Sequence, residues 1–367
     1  MRLFLLLFFL QTVAFAQDST LTYYPNSKQV REKFYLNQTG LKDGLYSIYF
    51  ADGVLWQQGD FANGKMSGEW IVNWPNGRMK QRMFFESGLA SDTCYIFDEY
   101  GILSQKQVLL RDLKNGPTFL YDQDGNLIEE SLYKNNALQG ASTSYYANGK
   151  KRLEAFFEKN MKVGLWKNYY KSGNLEASFT YNSNLLQGPK TVYYDSLVLL
   201  TKAIQEYENN ELNGKTISFY PTGDTLSIQT FKNGEAIGMF KSYHPNGIVK
   251  ELGMYAEGSK FGLWKSYYST GTMHTIGHFE KGDFEGIWTV YWPDGKMKQI
   301  GEYHQGYATG RWCFFNESGG LKRSGNFEND IEVGVWFIHE NVNIQYYDFD
   351  NEEFVSKARF NQDKACE

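Results

Sequence analysis

The sequence predicts an all-β protein: an elongated, twisted antiparallel β-meander of about thirteen β-hairpin repeats, each 24 residues long. Three observations lead there. The chain has 367 residues with Tyr 27, Phe 27 and Trp 9, so 17 % is aromatic, and Gly 36 stands beside only Pro 7. The glycines recur at a fixed step. The residues between them form runs of six to eight, rich in aromatic and β-branched types, with no helical periodicity. The same composition excludes several classes. Too many aromatics are present for a disordered chain, and too little proline for collagen. Lys+Arg 37 against Asp+Glu 42 gives a net charge of −5, which argues against a nucleic-acid binder.

Residues 1–16 read as a secretory signal peptide. Met1-Arg2 supplies a positive charge, Leu3 to Leu10 is apolar, and Ala14-Phe15-Ala16 is a small-residue cleavage site. Cleavage before Gln17 removes Arg2 and leaves a charge of −6, from −5 less one cation. The expected location is outside the inner membrane: periplasmic, outer-envelope-associated or extracellular. Residues 17–43 are expected to form an N-terminal cap with a degenerate repeat around Tyr23-Tyr24-Pro25-Asn26-Ser27.

Residues 44–340 are the array. With n as the position of the first glycine of a unit, n falls at 44, 68, 116, 140, 164, 188, 214, 238, 262, 286, 310 and 334, with Asp92 as a degenerate thirteenth member and a two-residue insertion between 188 and 214. A second glycine stands at n+9 in eleven of the thirteen units, as in Trp74-Pro75-Asn76-Gly77, and marks a three-residue hairpin loop. At n+20 (n+22 in the unit with the insertion) the twelve residues from Gly64 to Asp330 are all Gly, Asn or Asp, so a second turn joins successive units. Each unit is therefore strand, turn, strand, turn. Thirteen hairpins laid side by side would extend roughly 125 Å before twist. Residues 341–367 depart from the repeat and are expected to cap its end, with Phe354 and Ala358 spaced for a short helix.

Alternation from the three-residue loop assigns two faces. One would carry n+5, n+11, n+15 and n+17, where Tyr49, Tyr267, Leu55, Met273, Phe61 and Phe279 recur; this face is expected to be the packed one. The other would carry n+2, n+6, n+10, n+12 and n+14. It holds Trp70, Trp74, Trp166, Tyr170, Trp264, Tyr268, Trp288, Trp292, Trp312 and Trp336, beside Lys80, Arg82, Arg152, Glu154, Glu176, Lys250, Lys298 and Lys322. Two expectations stand for these rings. They stack as a ladder and bury themselves, or they form an aromatic binding face for a partner.

No motif of nucleophilic, phosphate-cradling or metallohydrolase chemistry is present. The expectation is no enzyme, no cofactor and no metal site. His274 and His278 lie on a strand, about 13 Å apart, too far to share an ion. Cys94 and Cys313 lie nine repeats apart. Cys366 folding back to Cys313 is the only intrachain pair this geometry permits; the alternative is free thiols.

The unit Gly164-Leu165-Trp166-Lys167-Asn168-Tyr169-Tyr170-Lys171-Ser172-Gly173-Asn174-Leu175, and its counterpart from Gly262 to Met273, resembles the MORN repeat. It is most similar to the bacterial variant of the YwqK family of toxin–antitoxin antitoxins. The resemblance covers about residues 44–340. It implies a scaffold that binds a protein partner, a toxin in the antitoxin case, or contacts membrane phospholipid. An export signal departs from a cytosolic antitoxin and places any such partner in the envelope. A cell-wall glycan stacked on the Trp and Tyr platforms is the alternative ligand. Peripheral membrane contact is disfavoured by the net charge.

Overall fold

The computed structural model describes residues 18–340, 343–357 and 360. The expected signal segment lies outside them. The chain is all-β: thirty strands, all antiparallel where paired, with no α-helix among the described residues. It forms two compact units that divide between Lys162 and Val163. In each unit every strand pairs with the strands next to it in sequence, so the sheet is an open meander of hairpins.

The turns follow the sequence closely. At n+6 to n+10 the loop has three residues: in the unit at 68, Trp74 N donates to Arg78 O at 2.8 Å and Gly77 N to Trp74 O at 2.9 Å. At n+19 and n+20 both residues take positive φ, as in Asn135 (50°) and Asn136 (66°), the geometry of a two-residue type I′ turn. Where n+20 is Asn or Asp, its side chain also accepts the n−2 backbone N–H: Asn136 from Lys114, Asn160 from Leu138 and Asp330 from Ala308, at 2.6–2.7 Å. Asp92, standing for the absent glycine, adopts φ 68°, close to the 67° of Gly68 and Gly262.

The face assignment requires correction. The loop pairs n+5 with n+11 as expected, Tyr267 with Met273, but n+4 then pairs with n+13, Ser266 with Thr275. The residue at n+12 is an extra one on the second strand. This β-bulge recurs in every unit of the array with two complete strands, for example between Val72 and Asn73 or between Val290 and Tyr291. One inserted residue moves everything beyond it to the opposite face. Trp at n+2 therefore shares a face with n+15 and n+17, and the n+5 and n+11 residues line the other side.

The first strands, Thr20–Tyr23 and Val30–Phe34, pair with each other and then with Gly44–Tyr49. At the other end Asn343–Asp348 pairs with Ile331–Glu340, and Glu353–Phe354 pairs with Tyr347 and Asp348. Phe354 thus sits in a strand and not in the expected helix; Ala358 lies outside the described residues. The sheet continues here because its last indole needs a neighbour. Phe349 packs edge-on to Trp336 at 5.8 Å, and Phe354 to Tyr347 at 5.1 Å. Cys94 is a buried free thiol. Cys313 is disulfide-bonded, against the free-thiol alternative; Cys366, the one intrachain candidate the sequence offers, lies outside the described residues.

Candidate binding surface

The ten aromatic residues named from the sequence fall into two sets. Trp70, Trp166, Trp264, Trp288, Trp312 and Trp336, all at n+2, are 0–8 % exposed. They are the core, as the first of the two expectations has it, and not a free binding platform. The cause is steric. Opposite each of five indoles lies a glycine at n+15 of the preceding unit, and a Cβ there would sit 2.0–2.2 Å from the ring: Gly59 under Trp70, Gly253 under Trp264, Gly277 under Trp288, Gly301 under Trp312 and Gly325 under Trp336. The indole lies flat on bare backbone. Its Nε1 then reaches the chain beyond, donating from Trp70 to Asp60 O, Trp264 to Met254 O and Trp288 to His278 O at 2.9–3.2 Å. The n+17 rings close its edges. Trp264 meets Tyr255 at 5.3 Å and Phe279 at 5.7 Å, both edge-on, and Trp312 meets Tyr303 and Phe327 in the same way.

Trp74, Tyr170, Tyr268 and Trp292, all at n+6, are half-buried. Three of them tie one hairpin to the next. Trp74 Nε1 donates to Phe97 O, Tyr170 OH to Tyr193 O and Tyr268 OH to Tyr291 O at 2.8–3.2 Å. Trp292 breaks the series, because its Nε1 is buried without a hydrogen-bond partner. The bulge residue at n+12 covers these rings: Lys80 lies 4.3 Å above Trp74, Lys298 4.6 Å above Trp292, and the His274 ring packs on Tyr268 at 4.6 Å. Burial and the nearby Lys298 ammonium hold the His274 pKa below its usual value.

Two grooves open along the hairpin-loop side, one in each unit, at the same place in the repeat. The first, about 880 Å³, is acidic, with Trp74 and Tyr121 beside Asp98, Glu99, Asp122 and Asp124. Asp98 and Asp122 are turn caps: each accepts backbone N–H groups of its own loop at 2.8–3.0 Å. Those bonds hold the Asp122 carboxyl below its ordinary pKa. The second, about 770 Å³, is of mixed charge, lined by Trp292, Lys298, Phe314, Lys322 and Arg323 together with Glu317 and Glu340.

Sequence reasoning missed a third surface. On the side opposite the indoles, the second unit exposes Met239 (55 %), Met254 (41 %), Phe261 (54 %), Leu263 (40 %) and Ile287 (62 %). Met239 pairs with Met254 and Met254 with Phe261, so the apolar atoms are contiguous across three strands. The signal is present in the sequence at n+1, n+16 and n−1, but only the bulge puts those positions together.

No group of His, Cys, Asp and Glu that could hold a metal occurs among the described residues. His274 and His278 occupy one strand, Met273–Glu280, as expected. No helix is long and apolar enough to cross a membrane among those residues.

Taken together, the fold and this surface define a repeat protein of antiparallel hairpins, closed on one face by an indole ladder. The family of the MORN repeat variant matches it at residues 42–63, 114–135, 138–159, 162–183, 212–233, 237–257, 262–281 and 284–305. No curated protein matches the chain. Among solved structures, TcdB2-TccC3 is similar at 10 % identity over 88 % of this chain and 23 % of that one, with a TM-score of 0.16. The TcdB2-TccC3-Cdc42 structure gives 9 %, 90 %, 22 % and 0.16. A porin-like protein from Bacteroides uniformis gives 11 %, 78 %, 90 % and 0.12. The chain spans less than a quarter of the length of the first two.

Proposed function

We propose that this protein is an exported, non-enzymatic MORN-repeat scaffold that captures a protein partner on its sheet, in the manner of a YwqK-family antitoxin or immunity protein whose target acts in the envelope. The observation that carries this reading is the contiguous run of Met239, Met254 and Phe261, with Leu263 and Ile287 exposed on the same sheet face. Large apolar surfaces rimmed by polar residues mark interaction sites. Methionine and phenylalanine adapt to a protein surface. The export half rests on the sequence of residues 1–16. Burial of the six n+2 indoles removes the flat platforms that a stacked cell-wall glycan needs, so the protein partner is favoured over the glycan.

The test is a photo-crosslinking residue at Phe261 in the native host, with a second at Lys281 on a between-repeat turn as control. A single adduct recovered from the envelope fraction at Phe261, absent at Lys281 and lost in Met254→Glu, is the expected result. Equal labelling at both positions, or none, ends the proposal.

A further inference from the structure

In four consecutive repeats of the second unit, those starting at Gly238, Gly262, Gly286 and Gly310, the n+12 residues are Lys250, His274, Lys298 and Lys322. The bulge that misplaces the faces puts His274 and Lys298 over the n+6 rings of their own repeats, and Lys322 lines the same groove as Trp292 and Phe314. Lys298 lies over Trp292, and His274 on Tyr268, whose hydroxyl ties it to the next hairpin. None of the three lysines makes an ion pair among the described residues, although nearby cations do: Lys260 with Glu251, Lys296 with Asp294 and Arg323 with Glu332. Lys250 and Lys322 are exposed and Lys298 is half-buried. Three lysines free of direct ion pairs, aligned by the repeat, are an arrangement that attracts a linear anion, with Glu317 and Glu340 in the same groove as Lys298 and Lys322.

The spacing says which one. Successive n+12 positions lie two strands apart, roughly 9.6 Å at about 4.8 Å per strand. A polyproline II helix has three residues per turn and rises about 3.1 Å per residue, so every third side chain projects from one side about 9.3 Å from the last. The two periods agree to within a few per cent. A fully extended strand does not fit, because its third residue points to the opposite side. Polyproline II segments also dock on aromatic-lined grooves. The groove around Trp292 and Phe314 offers such walls.

We infer that this stripe binds an extended acidic segment of a protein partner in the polyproline II conformation, with a carboxylate at every third residue meeting Lys250, His274, Lys298 and Lys322 in turn. The inference rests on the proposed partner-binding role and assigns that partner a second contact. Three lysines supply charge. His274, kept neutral beside Lys298, supplies a hydrogen bond.

The test uses the full chain and a fluorescent peptide of four Glu-Pro-Pro triplets, read by polarisation at low salt. Two competitors accompany it: a peptide of the same composition with its glutamates clustered, and heparin as a sulfated polysaccharide. Saturable binding of the triplet peptide is expected, with a shift of the His274 imidazole resonances. Lys298→Glu combined with Lys322→Glu should weaken it by about tenfold or more while leaving the thermal transition in place. The clustered peptide should compete poorly. Equal affinity for clustered and triplet peptides, stronger binding of heparin, or no saturable binding at all would overturn the inference. The two ideas fail separately. Crosslinking at Phe261 with no peptide binding leaves the scaffold reading intact without the stripe; peptide binding with no crosslink leaves the stripe and removes the scaffold reading.

Discussion

The strands between Gly253 and Trp336 and those between Met83 and Ser142 share one backbone plan and differ in what fills it. In the first region each contact between n+15 and the following n+2 is a glycine under a tryptophan, four in succession. In the second, the Gln81 amide reaches the sulfurs of both Met83 and Cys94, Gln107 pairs with Thr118, and Ser131 pairs with Ser142, whose hydroxyls lie 2.8 Å apart. Cys94, Thr118, Ser131 and Ser142 fill these n+2 and n+15 places as buried or half-buried small residues. Backbone turns, bulges and stitching bonds persist in both. The hairpin plan therefore does not depend on the indole; the indole adds apolar burial to a frame set by the turns. Between the repeats that start at Gly164 and Gly188 a third solution occurs, in which Phe179 takes n+15 and Lys190, 5.7 Å from its ring, takes n+2. The large residue has crossed to the other strand and the contact survives.

This contrast can be broken in graded steps. Trp312→Ala should have the largest effect, about 3–5 kcal/mol as expected for a buried aromatic, seen as loss of hydrogen-exchange protection in the strands around it. Thr118→Ala at the same position of the polar region should be nearly neutral, because the Thr118 hydroxyl is buried without a partner. If the two substitutions cost the same, the indole ladder is not what distinguishes the regions. Gly301→Ala drives a Cβ to within 2.0 Å of the Trp312 ring and should cost about 1–3 kcal/mol. Gly301→Phe with Trp312→Lys copies the Phe179–Lys190 arrangement. The pair should be less damaging than the sum of its members by at least about 0.5 kcal/mol in a double-mutant cycle; strict additivity would show that the crossed contact is not portable. Tyr268→Phe removes one tie between hairpins and should cost about 0.5–1.5 kcal/mol, measured in chemical denaturation.

A smaller, pH-dependent effect belongs to the polar region. Burial and the hydrogen bond from its hydroxyl to Glu130 push Tyr145 up to about 12. Its folded pKa exceeds the ordinary value of 10.0, so its contribution is complete below that value and is lost as the pH rises from there through about 12. Ultraviolet titration should show Tyr145 ionising late, and Glu130→Gln should bring it down.

Much of this was legible in the sequence, and the part that was not has one cause. Gly77 and its equivalents announced the three-residue loop, and Asn136 and its equivalents the two-residue turn, because positive φ restricts the residues that fit. The n+12 bulge left no such mark: Lys80, Ser104, His274 and Lys298 share no side-chain type. Strict alternation from the correct loop therefore reversed the faces beyond it. Trp264 was read beside exposed lysines when it lies under Tyr255, and the exposed Phe261 was not singled out. A glycine at n+15 before five of the six n+2 tryptophans was the available clue, since Gly59, Gly253, Gly277, Gly301 and Gly325 each precede an indole by eleven residues, with Ala155 in that place before Trp166.

The ties from n+6 to the next hairpin span 23 to 25 residues, and those at the opposite turns 20 to 24. Each is a bond between immediate neighbours. Repeats wired this way form their ties with near neighbours in sequence, so a hairpin pair can start folding and its neighbours can add on by accretion. It also makes length a free variable: excising one whole 24-residue period, such as 262–285, presents each flank with the partner chemistry it already had, whereas removing half a period presents a turn where a strand is needed. Growth or loss by whole periods changes reach without asking the rest of the molecule to change.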